Sequence, residues 1–251
     1  MKISLIAPLL ALFASSCVAP AAKMPEVSRG SISAESQSQA DAYFHFMKGG
    51  MLQQEGALDS AQKEYEAAFR LDPRSADIAL ALASLFLHRG KVDDAALYAQ
   101  KAADLDPART ETLMLLAGIN SSKKKFDEAI ELYNKVLVLD PGMEDAYLYL
   151  GSLYASLKRF DEAVETFRAL DRKNPGSLMA PYYLGRIFTE RKMYPEALAE
   201  FKRAISIRED FEPSYTGLGV VYEITGRPKD AIDAYKKALA LNPHNTELRQ
   251  R

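Results

Sequence analysis

The chain has 251 residues, with 32 Lys and Arg against 34 Asp and Glu, for a formal net charge of −2. That balance excludes the basic excess that drives nucleic-acid binding by counterion release. A single cysteine, Cys17, excludes an internal disulfide framework.

In chain order, the first segment is 1–16. Lys2 is a minimal basic start, Ile3 to Phe13 is an apolar run, and Ala14-Ser15-Ser16 leads to Cys17. The run has the length of a signal peptide and is too short for a spanning helix. Small residues just before a lone cysteine resemble the lipobox of bacterial lipoproteins, which implies cleavage before Cys17 and acylation of its thiol. An ordinary cut at Ala19-Pro20-Ala21 is the alternative and implies a soluble periplasmic protein. Val18 rather than Asp follows the cysteine, which by the same resemblance implies the outer membrane, facing the periplasm. Residues 17–41 lack an apolar period and are rich in Ser, Gln and Ala, so they read as a lipidated cysteine and a flexible tether of roughly 25 Å.

From residue 42 the chain is periodic. Pro73, Pro107, Pro141, Pro175 and Pro243 lie 34 residues apart or a multiple of it, each after an Asp or Asn. Six units follow: 42–75, 76–109, 110–143, 144–177, 178–211 and 212–245. Position 20 is Ala in all six (Ala61, Ala95, Ala129, Ala163, Ala197, Ala231). Position 8 is always small, and position 24 is Tyr65, Ala99, Tyr133, Phe167, Phe201 and Tyr235. Small residues are needed where two helices cross at roughly 8–10 Å, and rings beside them fill the remaining space.

Between these columns the pattern is helical. Leu150, Leu153, Tyr154 and Leu157 have the spacing of an amphipathic helix, and Phe160, Val164 and Phe167 begin a second after a short polar turn. Asn174-Pro175 ends it. Each unit is therefore helix, turn, helix, break. In unit five, Pro181 and the missing proline at Glu209 predict boundaries shifted by about a turn.

These columns resemble the tetratricopeptide repeat, in phase over 42–245. The resemblance implies an all-α fold, a right-handed superhelical α-solenoid of six helix-turn-helix units. It also implies a concave groove lined by the first helices, so the expected partner-binding residues are Phe46, Asp77, Leu80, Met114, Leu148, Tyr182 and Arg186. Asp77, Glu111 and Asp145 would give the groove an acidic edge. The lysine and asparagine clamp of repeats that capture chaperone tails does not stand at these positions. An extended or helical protein segment with apolar side chains, flanked by basic residues, fits them better.

No catalytic pattern stands beside the repeats. His45, His88 and His244 fall in different units without metal-ligand spacing, and no phosphate loop or nucleophile elbow occurs. Acid pairs such as Asp127-Glu128 and Asp161-Glu162 open the second helices, where they offset the helix dipole. Lys123-Lys124-Lys125 reads as a solvated turn. The expectation is a binding scaffold, not an enzyme, with no metal, no cofactor and no small-molecule substrate. A lipoprotein start, a short tether and six repeats are similar in layout to the lipoproteins that assist type IV pilus secretin assembly, and to other envelope scaffolds. A targeting subunit of a separate envelope enzyme is the rival reading. At the far end, 246–251 is a short stub. Either it caps unit six through Leu248, or the face of 212–241 stays open for another molecule; a weak homodimer or a partner there is the reading taken.

Overall fold

The computed structural model describes residues 33–245 and 248–249. Among them are twelve helices: α1 (Ala34–Gln54), α2 (Leu58–Leu71), α3 (Ala76–His88), α4 (Val92–Leu105), α5 (Thr110–Ser122), α6 (Phe126–Leu139), α7 (Glu144–Ser156), α8 (Phe160–Lys173), α9 (Met179–Glu190), α10 (Tyr194–Ile207), α11 (Glu212–Ile224) and α12 (Pro228–Leu241). They form six successive hairpins, each stacked on the next, in an α-solenoid. The first helices α9 and α11 also touch directly, so the stack curves toward its first helices and leaves the second helices outside.

The recurrent spacing of small and large side chains sets the hairpin geometry. Five of the six position-20 alanines are wholly buried, and Ala231 is 4 % exposed. Position 8 lies under the ring of position 24. A Cβ added to Gly151 would meet the Phe167 ring at 2.5 Å, and one added to Gly185 would meet Phe201 at 2.9 Å. Unit two replaces the ring by Ala99 and has Ala83 opposite it. Unit three keeps Tyr133 beside Ala117, and that ring stacks on Tyr149 of the next unit, 6.0 Å between centroids.

The turn within each hairpin holds a regularity that residue types conceal. Gly56, Gly90, Lys124, Lys158, Lys192 and Gly226 all have positive φ, and they too are 34 residues apart. Each closes the first helix by the same pair of hydrogen bonds. In unit five, Lys192 N–H donates to the Thr189 carbonyl at 3.0 Å, and Met193 N–H donates to the Phe188 carbonyl at 2.8 Å. This is the Schellman arrangement, which favours glycine because a Cβ in the left-handed region crowds the following carbonyl. Three units use lysine there and bear that strain. Lys192 forms no ion pair among the described residues, so its replacement removes no side-chain contact of that kind. Lys192→Gly is expected to stabilise the array by about 1 kcal/mol in urea unfolding, less glycine's extra entropy in the unfolded chain. Gly90→Lys should shift the midpoint the other way, and equal midpoints would contradict the turn geometry.

Second helices end where the Asx-Pro pairs predict. Asp72, Asp106, Asp140, Asn174 and Asn242 are the C-caps of α2, α4, α6, α8 and α12. The Asp140 carboxylate accepts from the Gly142 N–H at 2.9 Å, turning the chain toward the next unit. Unit five departs less than expected. α10 still ends at Ile207, with Arg208 N–H bonded to the Ala204 carbonyl at 3.1 Å. α9 starts at Met179, one residue later in phase than its counterparts, not a full turn. Pro181 sits in its first turn, where backbone N–H groups have no intrahelical acceptor to lose.

The acids opening the second helices do more than offset the dipole. Asp59, Asp93 and Asp161 pair with Arg89, Lys123 and Arg191, each on the turn of the following unit. These acids are largely exposed, so water and salt screen each pair and it contributes little by itself, but the set ties neighbouring units along one edge.

Both ends differ from expectation. The stretch read as tether is helical from Ala34, two turns before unit one begins. The Ser33 hydroxyl caps that extension by accepting the Ser36 N–H at 3.1 Å, and Ser38 Oγ donates to the Leu71 carbonyl at 3.1 Å. Local capping and one contact to α2 therefore order polar residues that carry no apolar period. At the other end, Leu248 is 6 % exposed, and its N–H bonds to Asn245 Oδ1 at 3.2 Å. Leu248 thus covers part of unit six, and elsewhere on that face Ile232 is 52 % exposed.

Candidate functional site

First helices present unit positions 5, 6, 9, 12 and 13 along the inner side of the curve. Phe46, Leu80, Met114, Leu148 and Tyr182 occupy position 5 on α1, α3, α5, α7 and α9, and all five are half-buried. They pack between units with one part and show the other to the groove. Arg186, at position 9 of α9, is exposed and lies over two rings, 5.8 Å from the Tyr182 centroid and 5.6 Å from that of Tyr183. Burial pushes the Tyr182 phenol up and the Arg186 charge opposes it, so that tyrosine stays neutral at ordinary pH.

Two clefts flank Arg186. One of about 260 Å³ lies between α7 and α9, bounded by Ser152, Ser156, Tyr183 and Glu190. The other, about 280 Å³, lies between α9 and α11, bounded by Tyr182, Pro213, Thr216, Gly217 and Val220. A wider hollow of about 620 Å³ sits between α5 and α7, bounded by Leu87, Met114, Gly118, Tyr133 and Tyr149. Glycine at 118 and 217 and serine at 152 keep these spaces open, because larger side chains at the same places would fill them.

The structure thus brings Met114 into the hollow between α5 and α7, and Tyr182 and Arg186 into the clefts nearer the C-terminal end. Phe46 and Leu80 stand further toward the first units, where Phe46 packs on Tyr65 with centroids 5.8 Å apart. The acidic edge is weaker than expected. Arg109 binds both Asp77 and Glu111, the latter at 3.0 Å, so of the three exposed acids Asp145 is the one without an ion pair among the described residues. Cys17 lies outside the described residues.

The sequence reading passed over position 6. Tyr149 is 57 % exposed, and Tyr183 stacks on Phe167 with centroids 4.9 Å apart and planes 1° from parallel. Two tyrosines 34 residues apart were the available signal. Burial beneath Tyr149 pushes the Tyr133 phenol up to about 12. Leu87, 38 % exposed, adds an apolar edge to the same hollow. The arrangement offers rings, thioether and methyl groups with two cations, Arg186 and Lys158, the latter paired with Glu190 at 3.2 Å. It can hold an apolar segment, and among the described residues no group of three or more His, Cys, Asp or Glu could hold a metal.

Models of the tetratricopeptide repeat match residues 39–110, 121–181 and 213–245. No curated protein matches the sequence. Solved structures do match. PilF of Pseudomonas aeruginosa is 18% identical, over 85% of this chain and 97% of that one, with a TM-score of 0.64. PilW, a widely conserved type IV pilus biogenesis factor, is 18% identical over 83% of this chain and 97% of that one, with a TM-score of 0.66. YrrB, a tetratricopeptide repeat protein with an unusual peptide-binding site, is 20% identical over 74% and 96%, with a TM-score of 0.55. At these identities the likeness shows the fold alone.

Proposed function

The chain belongs to the tetratricopeptide repeat family, and from that premise we propose that it is a membrane-anchored scaffold of the bacterial cell envelope, holding a segment of a protein partner in its groove. The observation that carries this is the run of open spaces along the first helices, with Leu87, Met114, Tyr149 and Tyr182 on their walls and Arg186 between two of them. Apolar hollows of this kind receive alternate side chains of an extended chain or one face of a helix. The exposed Arg186, which forms no ion pair among the described residues, suits a segment that also carries a carboxylate, which differs from the basic flanks expected from sequence. The acids that would have attracted those flanks are partly neutralised by Arg109.

Anchoring rests on Cys17 and the apolar run before it. A thiol acylated with several chains holds a protein to a membrane stably, where one chain does so only marginally. The fold shared with PilF and PilW makes type IV pilus assembly one pathway such a scaffold would serve. Its role is to bring proteins together, not to catalyse; regulation of a separate envelope enzyme is the same binding act with another partner.

The test is crosslinked capture from membranes, comparing wild type with Tyr149→Glu and with Val138→Glu, the latter on α6 at a site 80 % exposed. The groove variant should lose the captured protein while the α6 variant keeps it, both with unchanged helicity. Equal capture by all three removes the groove from the proposal. Cys17→Ser should move the protein from the membrane pellet to the soluble fraction, or leave it unprocessed.

A further inference from the structure

The two ends of the array expose complementary halves of one interface. Within the chain, every first helix after α1 packs on the second helix before it. Its unit positions 3 and 10 are buried there, as in Ile78 and Leu85 or Ser214 and Val221. Among the described residues, α1 alone has no second helix before it, and there the same positions are open. Phe44 and Met51 are each 62 % exposed. Scattered exposed apolar residues are ordinary, but a stripe at helical spacing, equivalent to five buried ones, is a contact surface.

The matching half is on α12. Position 21 is buried in units three and four, at 8 % for Ile130 and 7 % for Val164, yet Ile232 is 52 % exposed. The other end of that face is occupied by Leu248, which stands at position 3 of a seventh unit. Leu248 reveals what the seat accepts: a large apolar side chain. Phe44 is of that kind, whereas the internal occupants of position 3 include Ala146, Ala180 and Ser214.

We propose that copies of this chain stack head to tail, the α1 face of one seated on the α12 face of the next, with Phe44 taking the place of Leu248 and Met51 covering Ile232. The occupant is a second copy because this chain alone is shown to carry both halves of the interface in the right phase. A head-to-tail contact does not close on itself, so it extends the solenoid into a filament. Leu248 competes from within the same molecule at high effective concentration, which keeps the association weak unless the chains are concentrated, as on a membrane. The inference is independent of what the groove binds.

The test uses the full chain with Cys17→Ser, which leaves no other cysteine. Met51→Cys and Ile232→Cys are introduced singly, at sites exposed enough to spare the fold, and the two chains are treated with a short bismaleimide. A crosslinked dimer is expected from the mixture and from neither chain alone. Leu248→Asp on the Ile232→Cys chain should raise the yield severalfold, and Phe44→Glu on the Met51→Cys chain should abolish it. A dimer from Met51→Cys alone would mean that two α1 faces meet, and one from Ile232→Cys alone that two α12 faces meet; either overturns the proposal. So does a mixture that stays monomeric when Leu248→Asp is also present and circular dichroism is unchanged.

Discussion

Phe167→Ala should lower the unfolding free energy by about 3–5 kcal/mol, the range for deleting a buried ring whose surroundings cannot collapse. Phe167 is wholly buried. Its ring lies against the α7 backbone at Gly151 and stacks on Tyr183 of the following unit, so it joins units four and five as well as the two helices of its own. Neither contact can follow the truncated side chain, because Gly151 has nothing to extend and Tyr183 is held by α9. Only neighbours interact in such an array, and removal of a central link should split unfolding into two transitions. A calorimetric trace with one unshifted transition would place the ring outside the core. The variant should also disturb the cleft between α7 and α9, which Phe167 helps to line.

Ala163→Leu is expected to cost about 1–3 kcal/mol by overpacking. Ala163 has no exposed surface and lies in the buried core where α8 packs on α7. Extra methylenes must displace a helix or force strained rotamers, since the interior is already close-packed. Val138→Leu on the exposed face of α6 is the matched control and should leave stability within ~0.5 kcal/mol. If urea midpoints for Ala163→Leu and wild type coincide, the position-20 column does not mark the crossing.

Much of the fold was legible because the repeat records local packing. Gly151 meets the Phe167 ring and Ala163 is buried in the same core, and their sizes recur every 34 residues, so the columns expose the packing of one hairpin without coordinates. The Asx-Pro breaks were legible for the same reason: proline acts on its own backbone and on the residue before it. The groove was legible in part. Position 5 was found because the family uses it. Tyr149 and Tyr183 at position 6 were missed because they project from one unit onto the ring of the preceding one.

Residue types alone therefore define the unit: two helices, the small residues between them, the ring that fills the gap, and the break that ends the pair. What one unit does to the next emerges only from their stacking. Asp77 and Glu111 share Arg109, and Asp161 reaches Arg191 thirty residues away. Leu248 is seated on α12 while Phe44 stands open on α1, although both hold the same place in the repeat. Even the turn at Lys124, Lys158 and Lys192 declared its left-handed backbone only in three dimensions, since lysine does not advertise positive φ as glycine does. The reason is common to all of these. Residue types record which side chain must be small, large or backbone-permissive inside a hairpin, but charge partners and open faces depend on the stacking of one hairpin on another, which no single column of the repeat contains.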